Sequence, residues 1–308
     1  MRYTLRQLAI FVAVARNGSI SRAAETLSMS QSAASSGLAE LERQFDVQLF
    51  DRVGKSVRLN ELGERLLLRA VEFLGRAEDI EALLRGQTGY GTLDIGATLT
   101  IGNYLATLIV AEFLQRHSDS RIRLGVHNTA TIIQQVASFE LDLGLIEGKC
   151  QHAELEVVPW LEDELVVFCA PTHPLTGCTQ ADEKTLLEQP WILREIGSGT
   201  RETFDQAMRH VEGRLDVRLE LEHTEAIKRA VESGLGVGCI SRLALREAFR
   251  RGSLVPVETP WLDLRRRFHF LWHRRKFRTP GMRAFLELCL EMTAGARRSD
   301  EIALSYIR

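Results

Sequence analysis

The stretch Gly18-Ser19-Ile20-Ser21-Arg22-Ala23-Ala24-Glu25-Thr26-Leu27-Ser28-Met29-Ser30-Gln31-Ser32-Ala33-Ala34-Ser35 reads as a short helix, a tight turn and the start of a second helix. Apolar residues recur at helical spacing before, within and after it: Leu5, Leu8, Val12 and Ala15; Ile20, Ala23, Ala24 and Leu27; Ala34, Leu38, Leu41 and Phe45. Three amphipathic helices with these stripes can share one small core. Asn17-Gly18 divides the first from the second, with Ser19 as the expected N-cap, and Met29-Ser30 divides the second from the third, with Ser30 placed to cap it. A turn this short aims the third helix outward, the arrangement of a helix-turn-helix that enters a DNA major groove.

The exposed part of that third helix, Ser30, Gln31, Ser32, Ala33, Ser35 and Ser36, offers an amide and several hydroxyls to base edges. Its unpaired N-terminal amides and positive dipole end favour a phosphate. Residues 49–59 then read as a β-hairpin wing whose Arg52, Lys55 and Arg58 flank the helix and meet phosphates. A three-helix structural module with a solvated basic loop is the plainer alternative, and the wing at this distance argues against it.

In these residues the chain resembles the LysR-type transcriptional regulators of bacteria. The matching features are Leu8 with Phe11, Gly18-Ser19, Ala23-Ala24, Ser30-Gln31-Ser32-Ala33-Ala34-Ser35, Leu41-Glu42 and Leu49-Phe50-Asp51-Arg52. Two departures are visible: Asp46 stands where a glycine is usual, and Ser36, Gly37 and Ala39 lack the basic or amide groups often found on the recognition helix. Base readout is therefore expected to rest on Gln31, hydroxyls and DNA shape more than on arginine.

Composition fits such a protein. A length of 308 residues predicts two or three domains, and a net charge of -2 with 26% charged residues means that any basic surface is local. Residues 1–60 supply it, with eight Arg and Lys against five acids, a balance of +3. No apolar run is long enough to span a membrane and no signal peptide precedes the first helix, so the expected location is the cytoplasm. The five cysteines, Cys150, Cys169, Cys178, Cys239 and Cys289, are scattered and form no Cys-x-x-Cys pair, which predicts reduced, mostly buried thiols.

From 61 to 88 the pattern is that of a connector. Leu66, Ala70, Phe73, Ala77, Ile80 and Leu84 alternate at spacings of four and three, a heptad seam flanked by charges. Such a seam predicts a partner helix from a second copy, so that two heads read half-sites roughly 34 Å apart, or a multiple of it, on one face of double-stranded DNA. The resemblance implies the same linker-helix dimer, assembled into a tetramer that bends its operator. RNA polymerase is a further partner compatible with that role.

Three glycines within residues 86–91 interrupt the helix. Beyond them, expected strands at 93–97, 121–126, 141–146, 165–169 and 191–193 alternate with helices such as 101–116, which predicts a parallel sheet with crossover helices. A late strand at 268–272 and a helix at 279–294 return to the first half. The expected fold is thus an N-terminal all-α winged helix-turn-helix (1–60), a long linker helix (61–88) and a two-lobed α/β effector domain (91–300) like the periplasmic solute-binding proteins. Lobe I takes about 91–160 and 265–295, and lobe II about 161–264.

Three junctions at strand ends point to the ligand, because in open α/β sheets ligands sit where strand carboxyl ends meet helix N-termini. These are Thr98 and Thr100; Thr129 and Thr131; and Ser198, Gly199, Thr200 and Arg201. Their hydroxyls and backbone amides suit a small oxyanion or carboxylate. The segments 159–165, 191–195, 197–201 and 224–228 look most like the CysL- and YeiE-type branch, tied to sulfur-oxyanion metabolism, which implies sulfite. The related carbon-fixation regulators answer to phosphorylated or carboxylated metabolites. Glu147, Glu195 and Glu225 would repel an anion unless paired, with Arg194, Arg201 and Lys228 as candidate partners. No cofactor, metal site or catalytic set is expected: His173 and Ser198 lack a nucleophile elbow or metal-ligand spacing around them. A thiol redox sensor using Cys150, Cys169 or Cys178 is the other regulatory reading.

Overall fold

The computed structural model describes residues 2–53, 56–84, 90–178, 180–210 and 215–302. In the head, α1 (Leu5–Asn17) starts at a Thr4 capping box with Gln7 and ends at Gly18 in the left-handed region. Helix α2 (Ile20–Thr26) follows Ser19, which has cap geometry but makes no side-chain cap bond. Helix α3 (Gln31–Phe45) is capped as expected: the Ser30 hydroxyl accepts from Ala33 N–H at 3.2 Å. Asp46 closes α3 at φ +51°, so it does there what a glycine does at lower cost. Strands β1 (Phe50–Val53) and β2 (Ser56–Leu59) form the antiparallel wing.

Leu8, Val12, Ala23, Ala24, Ala34, Leu38 and Leu41 fill one core, as their spacing predicts, and Phe11 and Val14, outside the predicted stripe, join them. Leu5 and Phe45, read as parts of the same stripes, are instead exposed at the ends of their helices. The long helix α4 (Glu61–Leu84) is divided in use. Ala70 and Leu66 pack into the head, whereas Ile80 at 60% and Leu84 at 82% exposure stay open.

The second unit runs β3 (Thr92–Thr98), α5 (Leu99–Ile101), α6 (Thr107–Arg116), β4 (Arg121–His127), α7 (Thr129–Ala137), β5 (Leu143–Glu147) and β6 (Leu155–Cys169). It continues with α8 (Glu183–Leu187), β7 (Pro190–Arg194), α9 (Gly199–Ala207), β8 (Asp216–Leu221), α10 (Thr224–Glu232), β9 (Val237–Ser241), α11 (Arg242–Arg251), β10 (Val255–Val257), β11 (Arg265–His273) and α12 (Pro280–Met292). The helix expected over 101–116 carries a π-turn at Gly102–Ala106 between α5 and α6.

The sheet order is β4-β3-β5-β11-β6-β9-β7-β8, and it is mixed rather than parallel throughout. Strands β3, β4 and β5 are parallel, as are β7, β8 and β9, but β6 and β11 run antiparallel to their neighbours. Strand β6 pairs with β11 up to Glu164 and with β9 from Leu165, so this long strand belongs to both lobes and forms the crossing with β11. Separate apolar clusters fill the two lobes, one around Phe113, Phe268 and Phe285 and another around Trp191, Phe204 and Val167. Among the described residues no helix is long and apolar enough to cross a membrane.

Candidate nucleic-acid interface and anion cleft

On the head, Gln31, Ser32, Ala33 and Ser36 are exposed and Ser35 is half-buried, so the residues singled out on α3 share an accessible face. Ser30 is exposed as well; its hydroxyl caps α3 through Ala33 N–H and lies 3.1 Å from the Ser32 hydroxyl. Gly37 is not part of this face: a Cβ there would meet Ile10 Cδ1 at 2.6 Å, so its missing side chain serves packing against α1. Arg58 is exposed on β2 of the wing. Lys55 and the side chain of Arg52 lie outside the described residues.

Between the lobes the three predicted junctions meet around one carboxylate. Glu147, at the end of β5, accepts from Thr100 N–H at 2.7 Å and from the Thr200 hydroxyl at 3.0 Å, and its main-chain carbonyl accepts from the Thr129 hydroxyl at 3.3 Å. Gly199 N–H in turn donates to Thr129 Oγ1 at 3.1 Å. A Cβ on Gly199 would sit 2.2 Å from Glu147 O, so only glycine lets the lobes close here. Ser198 caps α9 through Thr200 N–H at 3.2 Å. The Thr98 hydroxyl bonds Leu145 O at 3.4 Å, spent on the strand rather than the cleft. Thr131 contributes its N–H to the Asn128 cap at 3.0 Å and is not drawn into the cluster.

Arg201 is not drawn into this cluster. It turns away from the cleft, to Asp205 at 2.9 Å, Glu220 at 2.9 Å and the Arg194 carbonyl at 2.9 Å. The i, i+4 spacing to Asp205 already offers that partner. The cation of the cleft is Arg266 on β11, which pairs with Glu147 and Asp163 at 2.6 Å each and reaches Thr200 Oγ1 at 2.9 Å and Thr100 Oγ1 at 3.4 Å. Asp163 also accepts from the hydroxyls of Ser241 and Ser299. Period-two reading of Arg265-Arg266-Arg267-Phe268-His269-Phe270 would have found it, since Arg266 shares the buried face of Phe268 and Phe270.

Burial by itself raises the Glu147 pKa, but the Arg266 and Arg194 charges and the Thr100 donor reverse this and bring it to about 2. The opposed carboxylates likewise hold the Arg266 guanidinium above its ordinary value against the cost of burial. Glu195 pairs with Arg194 at 2.7 Å and Glu225 with Lys228 at 2.7 Å, as anticipated for both acids. Glu225 also takes the Tyr104 hydroxyl from lobe I, a second tie across the cleft.

Of the groups weighed for other chemistries, His173 and Ser198 are engaged in caps, whereas Cys178 is a free, exposed thiol. His173 Nδ1 accepts from Leu175 N–H at 3.2 Å as a turn cap, and the Ser198 hydroxyl caps α9. Burial pushes the Cys169 thiol up to about 11 and raises Cys150, Cys239 and Cys289, which disfavours reactive thiolates. Among the described residues no His, Cys, Asp and Glu group could hold a metal ion.

Comparison with known proteins gives two family matches, a bacterial regulatory helix-turn-helix protein of the lysR family over residues 5–64 and a LysR substrate binding domain over residues 86–294. The HTH-type transcriptional regulator YeiE of Escherichia coli strain K12 is 42% identical over 289 residues, 94% of this chain and 98% of that protein. Among solved structures, full-length OxyR of Pseudomonas aeruginosa superposes with a TM-score of 0.71 at 23% identity, covering 97% of each chain. The Synechocystis CcmR regulatory domain in complex with 2-PG superposes with a TM-score of 0.63 at 27% identity, covering 67% of this chain and 99% of that one.

Proposed function

Since the chain belongs to the LysR family of bacterial transcriptional regulators, DNA-binding proteins with an effector-binding domain and not enzymes, we propose that its effector is a small anion taken in the cleft around Glu147. Sulfite or another small oxyanion is favoured, and a carboxylated or phosphorylated metabolite comes next. The observation that carries this reading is that the cleft already holds a carboxylate. The Thr100 amide, the Thr200 hydroxyl and the Arg266 guanidinium all converge on Glu147, so the donors suit an anion in kind and direction.

An incoming oxyanion competes with Glu147 for these donors. Arg266 and Arg194 against Glu147, Asp163 and Glu195 sum to one net negative charge, so a second anion enters only as Glu147 gives way. That exchange favours a compact ligand. The bound 2-PG of CcmR, a phosphorylated carboxylate, supports anions as the general class. Releasing Glu147 loosens the bonds that tie β5 to α5 and α9, which changes how the lobes close. The paired heads, with α3 in the major groove and the wing on phosphates, then grip the operator with altered spacing. A coupling of about 1–3 kcal/mol is enough for such a switch. In this reading α4 joins two copies, a pair of dimers forms the tetramer, RNA polymerase is contacted at the promoter, and the protein works in the cytoplasm.

The test is a thermal-shift titration of the full chain with sulfite, sulfate, phosphate and 2-PG, where saturation at 100 times Kd adds about 2.7 kcal/mol of stability. Stabilisation by at least one anion that is lost in Thr200→Val supports the cleft. Midpoints that no anion moves would overturn it.

A further inference from the structure

Helix α7 holds different partners at its two ends. In the cleft, Ala130 N–H donates to Gly197 O of lobe II at 3.2 Å, and Thr129 Oγ1 accepts from Gly199 N–H at 3.1 Å. The helix then runs about 13 Å, nine residues at 1.5 Å each, to Ser138 and Phe139. Phe139 is buried at φ +61°, a costly conformation for a bulky side chain, and its ring lies 4.1 Å from that of His273. This turn presents the Phe139 carbonyl to the head, where it accepts a hydrogen bond from the Arg16 guanidinium in the last turn of α1.

The surface around that contact is fixed from both sides. Asp142 accepts from Asp94 N–H at 2.8 Å and pairs with Lys276, and Asp94 pairs with Arg123. Arg16 feels the charges of Asp142, Asp94 and Glu140 as it packs against lobe I. One step further, Gly18 at the end of α1 accepts from Val57 N–H of the wing at 3.2 Å. Cleft, α7, Phe139, Arg16, Gly18 and wing are thus joined by hydrogen bonds, by the helix α7 and by the last residues of α1.

We propose that α7 is the link through which the cleft acts on the DNA-reading head, with the Phe139 carbonyl as the docking point for Arg16. A shift at the Thr129–Gly199 end moves that carbonyl, and Arg16 passes the movement to α1 and the wing. This deepens the anion reading but is a property of the contacts, whatever the effector. The physical warrant is an energetic coupling between two residues about one helix apart, and that is measurable.

The experiment is a double-mutant cycle in the full chain without ligand: wild type, Thr129→Val, Arg16→Ala and both, read by amide hydrogen exchange across residues 14–18. Thr129→Val removes the hydroxyl that ties α7 to Gly199, and Thr129→Ser retains it. The expected result is at least threefold faster exchange in Thr129→Val, none in Thr129→Ser, and no added effect of Thr129→Val once Arg16 is Ala. Unchanged exchange in Thr129→Val, factors that multiply in the double variant, or equal acceleration in α11 from general destabilisation would each overturn the link. Absence of any anion-induced thermal shift in wild type would sink the effector reading while leaving this cycle to stand or fall by its own result.

Discussion

Arg266 and Glu147 meet at 2.6 Å with each side chain only 2% exposed, one contributed by the strand that returns to lobe I and the other by the end of β5. Breaking one side of such a buried pair strands the other charge, at a cost of about 3–5 kcal/mol. Arg266→Ala is therefore expected to lower the chemical denaturation midpoint sharply, because it leaves both Glu147 and Asp163 without their guanidinium. A midpoint within error of wild type would show that the pair is dispensable.

The same pair sets an acid limit on stability. Glu147 is held at about 2 in the folded chain, below the ordinary carboxylate value, so its contribution is fully present above about pH 4.5. It is lost as pH falls from there towards 2. Denaturation at pH 3, 5 and 7 should show an acid loss that Glu147→Gln largely removes, and identical pH profiles for the two proteins would refute the assignment.

Arg201 and Thr200, adjacent in sequence, should behave oppositely. Arg201 is engaged with Asp205 and Glu220, so Arg201→Ala is expected to leave anion binding within about twofold of wild type. Thr200→Val removes a hydroxyl shared by Glu147 and Arg266 and should weaken it at least tenfold, in line with about 1.5–3 kcal/mol for a hydrogen bond to a charged group. Calorimetric titration with sulfite separates them; the reverse order would return Arg201 to the site.

At the DNA face, replacing Arg52, Lys55 and Arg58 together should weaken binding to every duplex alike. Six contacts from two wings imply a wild-type salt slope from these groups no steeper than about -5, at roughly -0.9 each, and the triple variant should lose most of it. Gln31→Ala should instead relax base preference at one position by about 1–3 kcal/mol. Measuring affinities across salt and sequence distinguishes phosphate contact from readout.

The open end of α4 gives a separate test. Ile80 and Leu84 are solvent-facing apolar residues on a helix whose first half is already packed, and the proposed dimer would use them. Ile80→Glu is expected to shift sedimentation towards the single chain and to lower operator affinity. An unchanged oligomer would remove this seam from assembly.

Local signals carried the head and the connector. Ser30 caps α3, Ala34, Leu38 and Leu41 face inward, and the 3.6-residue period of each helix is complete within its own segment. The same locality explains the errors at Leu5 and Phe45, since periodicity specifies a face but not where neighbouring elements end. The mixed sheet was hidden for a related reason: strand direction depends on the partner, and β6 takes two partners along its length.

What the amino-acid order determined by itself was the three helices of the head with the exposed polar face of α3, the long α4, and the hydroxyl-rich junctions at Thr100, Thr129 and Thr200, because caps, turns and periodicity are decided within a few residues. What only the tertiary structure decided was which charge faces those junctions. Arg201 lies beside them in sequence yet pairs locally with Asp205, while Arg266, 66 residues from Thr200, is carried to them by the antiparallel return of β11. Electrostatic partners are chosen by distance in space, and in a two-lobed fold crossed twice by the chain that distance is set by the sheet.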